Sequence, residues 1–247
     1  MSQPLREGHY KEYLPTPAPP QELGEEQILD LEAVHTMAPD ADLAYVATRS
    51  PSPGDMFDGL AKVVDQHLAD VVSGSWFLGV EPQMSGDVIA SYQRLFQFGA
   101  VEGIGFAFAS GDDGDFSKGG WGGGLPSQVA VQYPASDPWV TAVGGTSLVL
   151  DKNGTYQYET GWGVARNPYD PTTKKWSYDE PGVFYVGAGG GTSHLFDRPS
   201  YQRNISPSGP VRRQIPDVAA DAVAFTGLAV GYLDHGSYKD SVGLQHQ

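Results

Sequence analysis

Two acidic residues with helical spacing are the first candidates for chemistry in this sequence. Glu26 and Asp30 lie four positions apart in GEEQILDLEAVHTM, residues 24–37, so they would share one face of a helix. Two carboxyls in a confined site couple their titrations, and one of them then binds a proton more tightly. The spacing is therefore consistent with a proton relay, and also with two solvated carboxylates on an exposed helix face.

A third acidic candidate follows an apolar run. In FAFASGDDGD, Asp112 comes directly after the run and next to Gly111. Sites in open α/β sheets lie at the carboxyl ends of strands, which favours a functional role for Asp112. Two other interpretations remain open. One is a turn that needs Gly and Asp for its backbone angles. The other is a calcium loop of Asp112, Asp113 and Asp115, whose spacing does not fit the EF-hand pattern.

The elements that would position these residues alternate along the chain. Periodicity and apolar runs predict helices at 25–38, 55–70 and 85–103 and strands at 43–48, 71–76 and 104–110. Near-continuous apolar strands are typical of a buried parallel sheet, so the alternation predicts an α/β fold with a mostly parallel sheet flanked by helices. Ser85 and Asp87 are candidate caps of the third helix. An apolar stripe is predicted on the first helix, and His35 in it is expected to be packed or half-exposed rather than a base. The members of the stripe are Ile28, Leu31, Val34, His35, Met37 and Ala38.

The domain organisation predicted from the sequence is one domain, residues 25–247, preceded by a Pro-rich irregular segment, residues 1–24, without a strand of its own. Residues 139–150 read as strand, whereas residues 162–191 read as irregular and aromatic. The end of the chain has no clear closing element, so the domain is expected to be incomplete at both ends.

The charge of the chain limits its partners. The formal net charge is −15 at pH 7, and the pI is near 4.6. Nucleic acids and anionic membranes would be repelled, and the many carboxylates suggest acidic working conditions. The chain has no cysteine, which excludes disulfides and thiolate chemistry. No apolar run is long enough to span a bilayer, and no signal peptide is recognisable.

Five collinear sequence blocks resemble those of the sedolisin family of serine-carboxyl peptidases. They cover roughly residues 24–230: GEEQILDLEAVHTMAPDADLAYV, SGDDG, YPASDPWVTAVGGTSL, GAGGGTSHLFDRPSYQ and RQIPDVAADAVAFTGLAV. One block alone would be weak support, but five in the family's order are specific. The resemblance implies a subtilisin-like three-layer α/β fold and hydrolysis of peptide bonds at acidic pH, by an endopeptidase or a tripeptidyl-peptidase.

The resemblance also assigns roles to individual residues. Glu26 matches the general base, Asp30 the carboxyl that supports it, and Asp112 the acid of the oxyanion hole; Ser75, Trp76 and Gly111 match the substrate cleft. An unperturbed Glu has a pKa of about 4.3, which suits a base that works in acid. The family further implies a calcium ion, a peptide or unfolded-protein substrate, a monomer and an extracellular or secreted location. Its calcium site is expected mostly beyond Gln247.

The sequence departs from the family at the nucleophile. The family's Gly-Thr-Ser-x-x-x-Pro motif should follow the block that contains Pro216, and it does not occur before Gln247. Ser147, Ser193 and Ser241 lack the motif's surroundings, so we expect this chain alone to have no appreciable peptidase activity. A non-catalytic pseudoenzyme or peptide-binding module on the same scaffold is the alternative. A carbohydrate-binding surface is a third possibility, built on Trp121, Trp139, Trp162 and Trp176.

Overall fold

The computed structural model describes residues 8–16, 24–118, 128–167, 169–176, 182–205, 211–223, 226–234, 237–240 and 245–246. Three α-helices are present in this part of the chain: α1 (Glu25–Met37), α2 (Pro53–Asp65) and α3 (Gly86–Val101). The strands of its first half are β1 (Tyr10–Tyr13), β2 (Leu43–Val46), β3 (Val71–Gly74), β4 (Gly79–Val80), β5 (Gly105–Ala109), β6 (Gln132–Tyr133) and β7 (Thr141–Leu150).

The remaining strands are short. They are β8 (Tyr156–Gly161), β9 (Gly163–Arg166), β10 (Tyr169–Asp170), β11 (Lys175–Trp176), β12 (Val183–Gly187), β13 (Gly191–Asp197), β14 (Arg212–Ile215), β15 (Val218–Asp221), β16 (Gly231–Asp234), β17 (Ser237–Asp240) and β18 (Gln245–His246). None of the helices in the described ranges is both long and apolar enough to cross a membrane.

The central sheet is mostly parallel, as the alternation of elements predicts. Its order is β15-β7-β5-β3, all parallel, and β8 adds an antiparallel partner to β7. The carboxyl ends of the four parallel strands therefore meet along one edge, where a site of an open α/β sheet is expected.

Helix α3 begins at the predicted cap Ser85, whereas α2 spans Pro53–Asp65 where residues 55–70 were predicted, with Ser52 as its N-cap. Ser52 accepts a hydrogen bond from the amide of Asp55, and Ser85 from the amide of Val88, so each hydroxyl satisfies a free amide at a helix start. Asp87 lies in the first turn of α3 and is not its N-cap. Both helices pack on the core, which is formed mainly by aromatic and branched side chains: Leu60, Val64, Tyr92, Leu95, Phe96, Ile104, Phe106, Phe108, Tyr133 and Val140.

The apolar stripe predicted on α1 is only partly buried. His35 is packed, as predicted, and Ile28 and Leu31 are half-buried, whereas Val34 is 37% and Met37 78% exposed.

The helix packs on β2 and β16, and its Glu32 accepts a hydrogen bond from the amide of Gly231 at 3.1 Å. Polar contacts therefore add to the half-buried part of the stripe in holding α1.

The prediction of a strand-free segment at residues 1–24 was also wrong. Tyr10–Tyr13 forms β1 and pairs in parallel with β2, starting at Tyr10 opposite Leu43. The strand is short and half polar, so the apolar-run signal misses it. The stretch predicted to be irregular likewise contains β9 and β12 as an antiparallel pair, and β16, β17 and β18 form a small sheet near the end of the chain.

A buried ion pair fastens β14 to the central sheet. Arg213 is 0% exposed, and its Nη2 lies 2.7 Å from Oδ2 of Asp217. The guanidinium also donates to three backbone carbonyls, those of Ala135, Ser136 and Val140. Asp217 in turn accepts from the amide of Ala142 at 2.9 Å, so both charges are fully engaged.

A second buried carboxyl lies beside this pair. Asp137 is 0% exposed and accepts hydrogen bonds from the amide of Trp139 at 2.9 Å and from the hydroxyl of Tyr133 at 3.2 Å. Burial raises the pKa of Asp137 to about 6, although these two bonds and the charge of Arg213 act in the opposite direction. The protein interior therefore favours the neutral form of this carboxyl.

Candidate active site

A cleft of about 250 Å³ opens at the carboxyl ends of the parallel strands. Each of β3, β5, β7 and β15 contributes to its lining, together with the loops that follow them. The lining residues are Ser73, Gly74, Ser75, Ala107, Phe108, Ala109, Gly111, Asp112, Val143, Gly144, Gly145, Trp162, Ala220, Asp221 and Ala222.

The loop after β5 presents Asp112 to this cleft, and its shape depends on Gly111. Gly111 has a φ of +116°, and a Cβ there would lie 2.6 Å from Oε1 of Gln132, so no other residue fits without strain. The loop is held from the other side by Gly189, whose amide donates to the carbonyl of Gly111 at 2.6 Å, and by Ser110, whose hydroxyl donates to the carbonyl of Gly189 at 2.7 Å.

Glu26 and Asp30 reach the same region from α1. The hydroxyl of Ser75, in the cleft lining, donates a hydrogen bond to Oδ1 of Asp30 at 2.8 Å. Burial raises the pKa of Asp30, and the hydrogen bond from Ser75 partly offsets this effect. The carboxyls of α1 are therefore attached to the end of β3 by a direct contact that sequence spacing cannot reveal.

The charges of the three acids act on one another. The pKa of Glu26 is raised first by burial, then by the negative charges of Asp30 and Asp112, while Ser75 lowers it. The pKa of Asp112 is raised by burial and then by the charge of Asp113. An acid that holds its proton longer than usual can donate a hydrogen bond to a developing oxyanion, and a base with a raised pKa takes up a proton more readily.

Two of the three residues predicted to contact substrate line the cleft, and the third packs against the core. Ser75 and Gly111 line the cleft. The indole of Trp76 instead packs edge-on against Phe108, with ring centroids 4.7 Å apart, and belongs to the periphery of the core. Trp162 and Asp221 also line the cleft, although sequence reasoning did not select either as a cleft residue.

The candidate nucleophiles that the structure describes have other surroundings. Ser193 is 2% exposed, and its hydroxyl donates to Oε1 of the buried Glu81 at 2.7 Å. Ser147 lies within β7, where it pairs with Thr160 of β8. Both serines are therefore parts of the scaffold. Ser241 lies outside the described residues.

A metal site is not formed by the described part of the chain. No group of three or more His, Cys, Asp or Glu side chains there could hold a metal ion. In the suggested calcium loop, Asp115 instead accepts a hydrogen bond from the amide of Ser117 at 2.9 Å. The calcium ion implied by the resemblance is expected mostly beyond Gln247, so it stays a prediction. Of the tryptophans suggested for carbohydrate binding, Trp121 lies outside the described residues.

Known proteins are similar to this chain in sequence and in fold. Sedolisin from Pseudomonas sp. (strain 101) is 33% identical over 191 residues, which cover 76% of this chain and 30% of the relative. Kumamolisin from Bacillus sp. (strain MN-32) is 33% identical over 209 residues, 82% of this chain and 34% of the relative. The chain therefore spans roughly a third of the length of these relatives.

Among solved structures, the fold is similar to that of Pseudomonas sedolisin (serine-carboxyl proteinase) complexed with two molecules of pseudo-iodotyrostatin. The TM-score is 0.68 at 27% identity, over 90% of this chain and 55% of that chain. No family model matches the sequence.

Proposed function

The chain belongs to the sedolisin family, and from this premise we propose that it supplies the acidic groups of a serine-type peptidase that works at acidic pH. The proposed substrate is a peptide or an unfolded protein, and the proposed location is extracellular. The observation that supports the proposal is that Asp30 contacts the cleft residue Ser75, while the charges of Asp30 and of Asp112, itself in the cleft lining, both raise the pKa of Glu26.

In the proposed reaction a serine hydroxyl attacks the carbonyl carbon of the scissile peptide. Glu26 takes the hydroxyl proton as the new C–O bond forms, and Asp30 accepts a hydrogen bond from the protonated Glu26. Asp112, while protonated, donates a hydrogen bond to the negative carbonyl oxygen. Glu26 then gives its proton to the leaving amine, and water hydrolyses the acyl-enzyme by the same steps. The attacking serine is not assigned to a residue of this chain.

The proposed roles require opposite protonation states. Glu26 must be ionised before attack, whereas Asp112 must be protonated, so activity is confined to pH values between the titrations of the two groups. A peptide-binding module without catalysis would have no use for three carboxyls whose pKa values are raised in one cleft, which favours the enzyme over this alternative.

The test is a fusion in which the Pseudomonas sedolisin sequence that follows the matched segment is joined to this chain and supplies the serine. At about pH 4 we expect the fusion to cleave peptides, and the unfused chain to remain at background. Glu26→Gln and Asp112→Asn in the fusion should each lower kcat/KM by about 10²- to 10³-fold. Glu25→Gln, the same charge change one residue away on α1, is the matched control.

Two outcomes would contradict the proposal. Glu26→Gln as active as Glu25→Gln would remove the assigned base. A folded fusion that binds peptides but never cleaves them would favour the non-catalytic peptide-binding alternative instead.

A further inference from the structure

Ser75 connects the carboxyl pair of α1 to the rest of the cleft. It follows β3 directly and lines the cleft. Its hydroxyl donates to Oδ1 of Asp30 at 2.8 Å, across 45 positions of sequence. This hydrogen bond joins α1 to the carboxyl end of a central strand.

The hydroxyl of Ser75 lowers the pKa of both carboxyls, but it has a single hydrogen, which it can donate to only one of them at a time. A serine hydroxyl donates one hydrogen bond and accepts up to two. In the geometry observed, the hydrogen is directed to Asp30, which stabilises the ionised form of that carboxyl. An ionised Asp30 is the form that can accept a hydrogen bond from Glu26 after Glu26 has taken up a proton.

We propose that Ser75 is a positioning residue whose hydroxyl keeps Asp30 as the ionised acceptor and so assigns the proton of the pair to Glu26. This inference rests on the proposed function, since it refines how the pair would work there. In this proposal the side chain of Ser75 positions Asp30, and contact with the substrate is left to the backbone of the same segment.

The other groups around the pair do not replace this contact. Asp112, in the loop after β5, acts on Glu26 through its negative charge. From β2, Tyr45 interacts with the charge of Glu12. From β16, the backbone amide of Gly231 donates to Glu32 rather than to Glu26 or Asp30.

The experiment is an NMR titration of the side-chain carboxyl carbons of the 247-residue chain, with ¹³C-labelled Asp and Glu. In Ser75→Ala the titration midpoint of Asp30 should move to higher pH, and Ser75→Thr should restore it because the hydroxyl returns. Ser73→Ala is the matched control, since Ser73 also lines the cleft from β3 but lacks this bond to Asp30; its midpoints should equal those of the wild type.

A second readout uses the fusion described above. Ser75→Ala should lower kcat on the order of tenfold near pH 4 with little change in KM, because a hydrogen bond to a charged group is lost, and Ser75→Thr should recover it. An unchanged Asp30 midpoint in a folded Ser75→Ala protein would overturn the inference. Because the titration needs no turnover, it decides the role of Ser75 even if the fusion proves inactive and the proposed function fails.

Discussion

The buried carboxyl of Asp137 should make the stability of this protein increase as the pH falls. Its pKa is raised from an ordinary 3.8 to about 6. Between roughly pH 4 and pH 6 the folded protein therefore holds a proton at Asp137 that the unfolded chain releases. The free energy of unfolding falls with rising pH wherever the folded state binds more protons, so this group destabilises the fold at neutral pH.

The size of the effect follows from the change in pKa. A change from 3.8 to about 6 corresponds to about 3 kcal/mol in favour of the neutral form, and most of it, about 2 kcal/mol, falls between pH 4 and pH 7. The substitution Asp137→Asn keeps the side chain neutral at all pH values. It also keeps an oxygen that can accept from the amide of Trp139. The variant should therefore gain about 2 kcal/mol on the wild type when the pH is raised from 4 to 7.

Urea unfolding followed by tryptophan fluorescence at pH 4 and pH 7 measures this difference directly. The other carboxyls are common to both proteins, so their titrations cancel in the comparison. Asp65→Asn, at the exposed end of α2, is the control and should show no such dependence. If the wild type and Asp137→Asn kept the same difference in unfolding free energy at both pH values, the argument from burial would be refuted.

Three further substitutions test the scaffold. Arg213→Met leaves the carboxylate of Asp217 buried without its cation and should cost about 3–5 kcal/mol in urea unfolding; a loss below about 1 kcal/mol would show that the pair is not essential. Gly111→Ala places a side chain at a φ of +116° and should lower the free energy of unfolding by about 1–3 kcal/mol. Its control, Gly86→Ala, lies in open space at the start of α3 and should be neutral or stabilising. Equal effects of the two substitutions would contradict the strain at Gly111. Ser193→Ala removes one hydrogen-bond donor from the buried Glu81. It should lower the free energy of unfolding by about 1–3 kcal/mol, and the melting temperature with it. An unchanged melting temperature would mean that water replaces the hydroxyl.

The central fold could be predicted because its signals are local. Strands β3, β5 and β7 are apolar runs, and the hydroxyl caps of α2 and α3 lie next to the helices that they begin. Such features depend on neighbouring residues and on burial from both faces of a sheet. The parallel sheet and its helices therefore follow from the sequence.

The strands that were missed have no such local signal. Strand β1 has half-buried tyrosines at its two ends and two exposed charged residues between them, and β8 is exposed along its whole length. Their pairing comes from backbone hydrogen bonds to partners far along the chain, which side-chain patterns do not encode. The same holds for α1, whose position depends on polar contacts to Ser75 and Gly231.

The candidate site could be predicted only in part. Asp112 could be selected because it follows the end of a predicted strand and a glycine, and sites of open α/β sheets lie at the carboxyl ends of their strands. The spacing of Glu26 and Asp30 allowed a solvated pair as readily as a working one, and the family resemblance was needed to give it a role. The hydrogen bond from Ser75 and the place of Trp162 in the cleft are tertiary features, and a single sequence carries no direct signal for them.

The hydrogen bond between Glu32 and Gly231 has a consequence for the order of folding. The two residues are 199 positions apart, and ribosomes add about 5–20 residues per second, so roughly 10–40 seconds separate the synthesis of the helix from that of its tether. Contacts of such high contact order also form slowly. A nascent chain would thus hold its acid pair through the contacts of α1 to β2 and Ser75 alone, until the synthesis of Gly231 allows the contact to Glu32 to form.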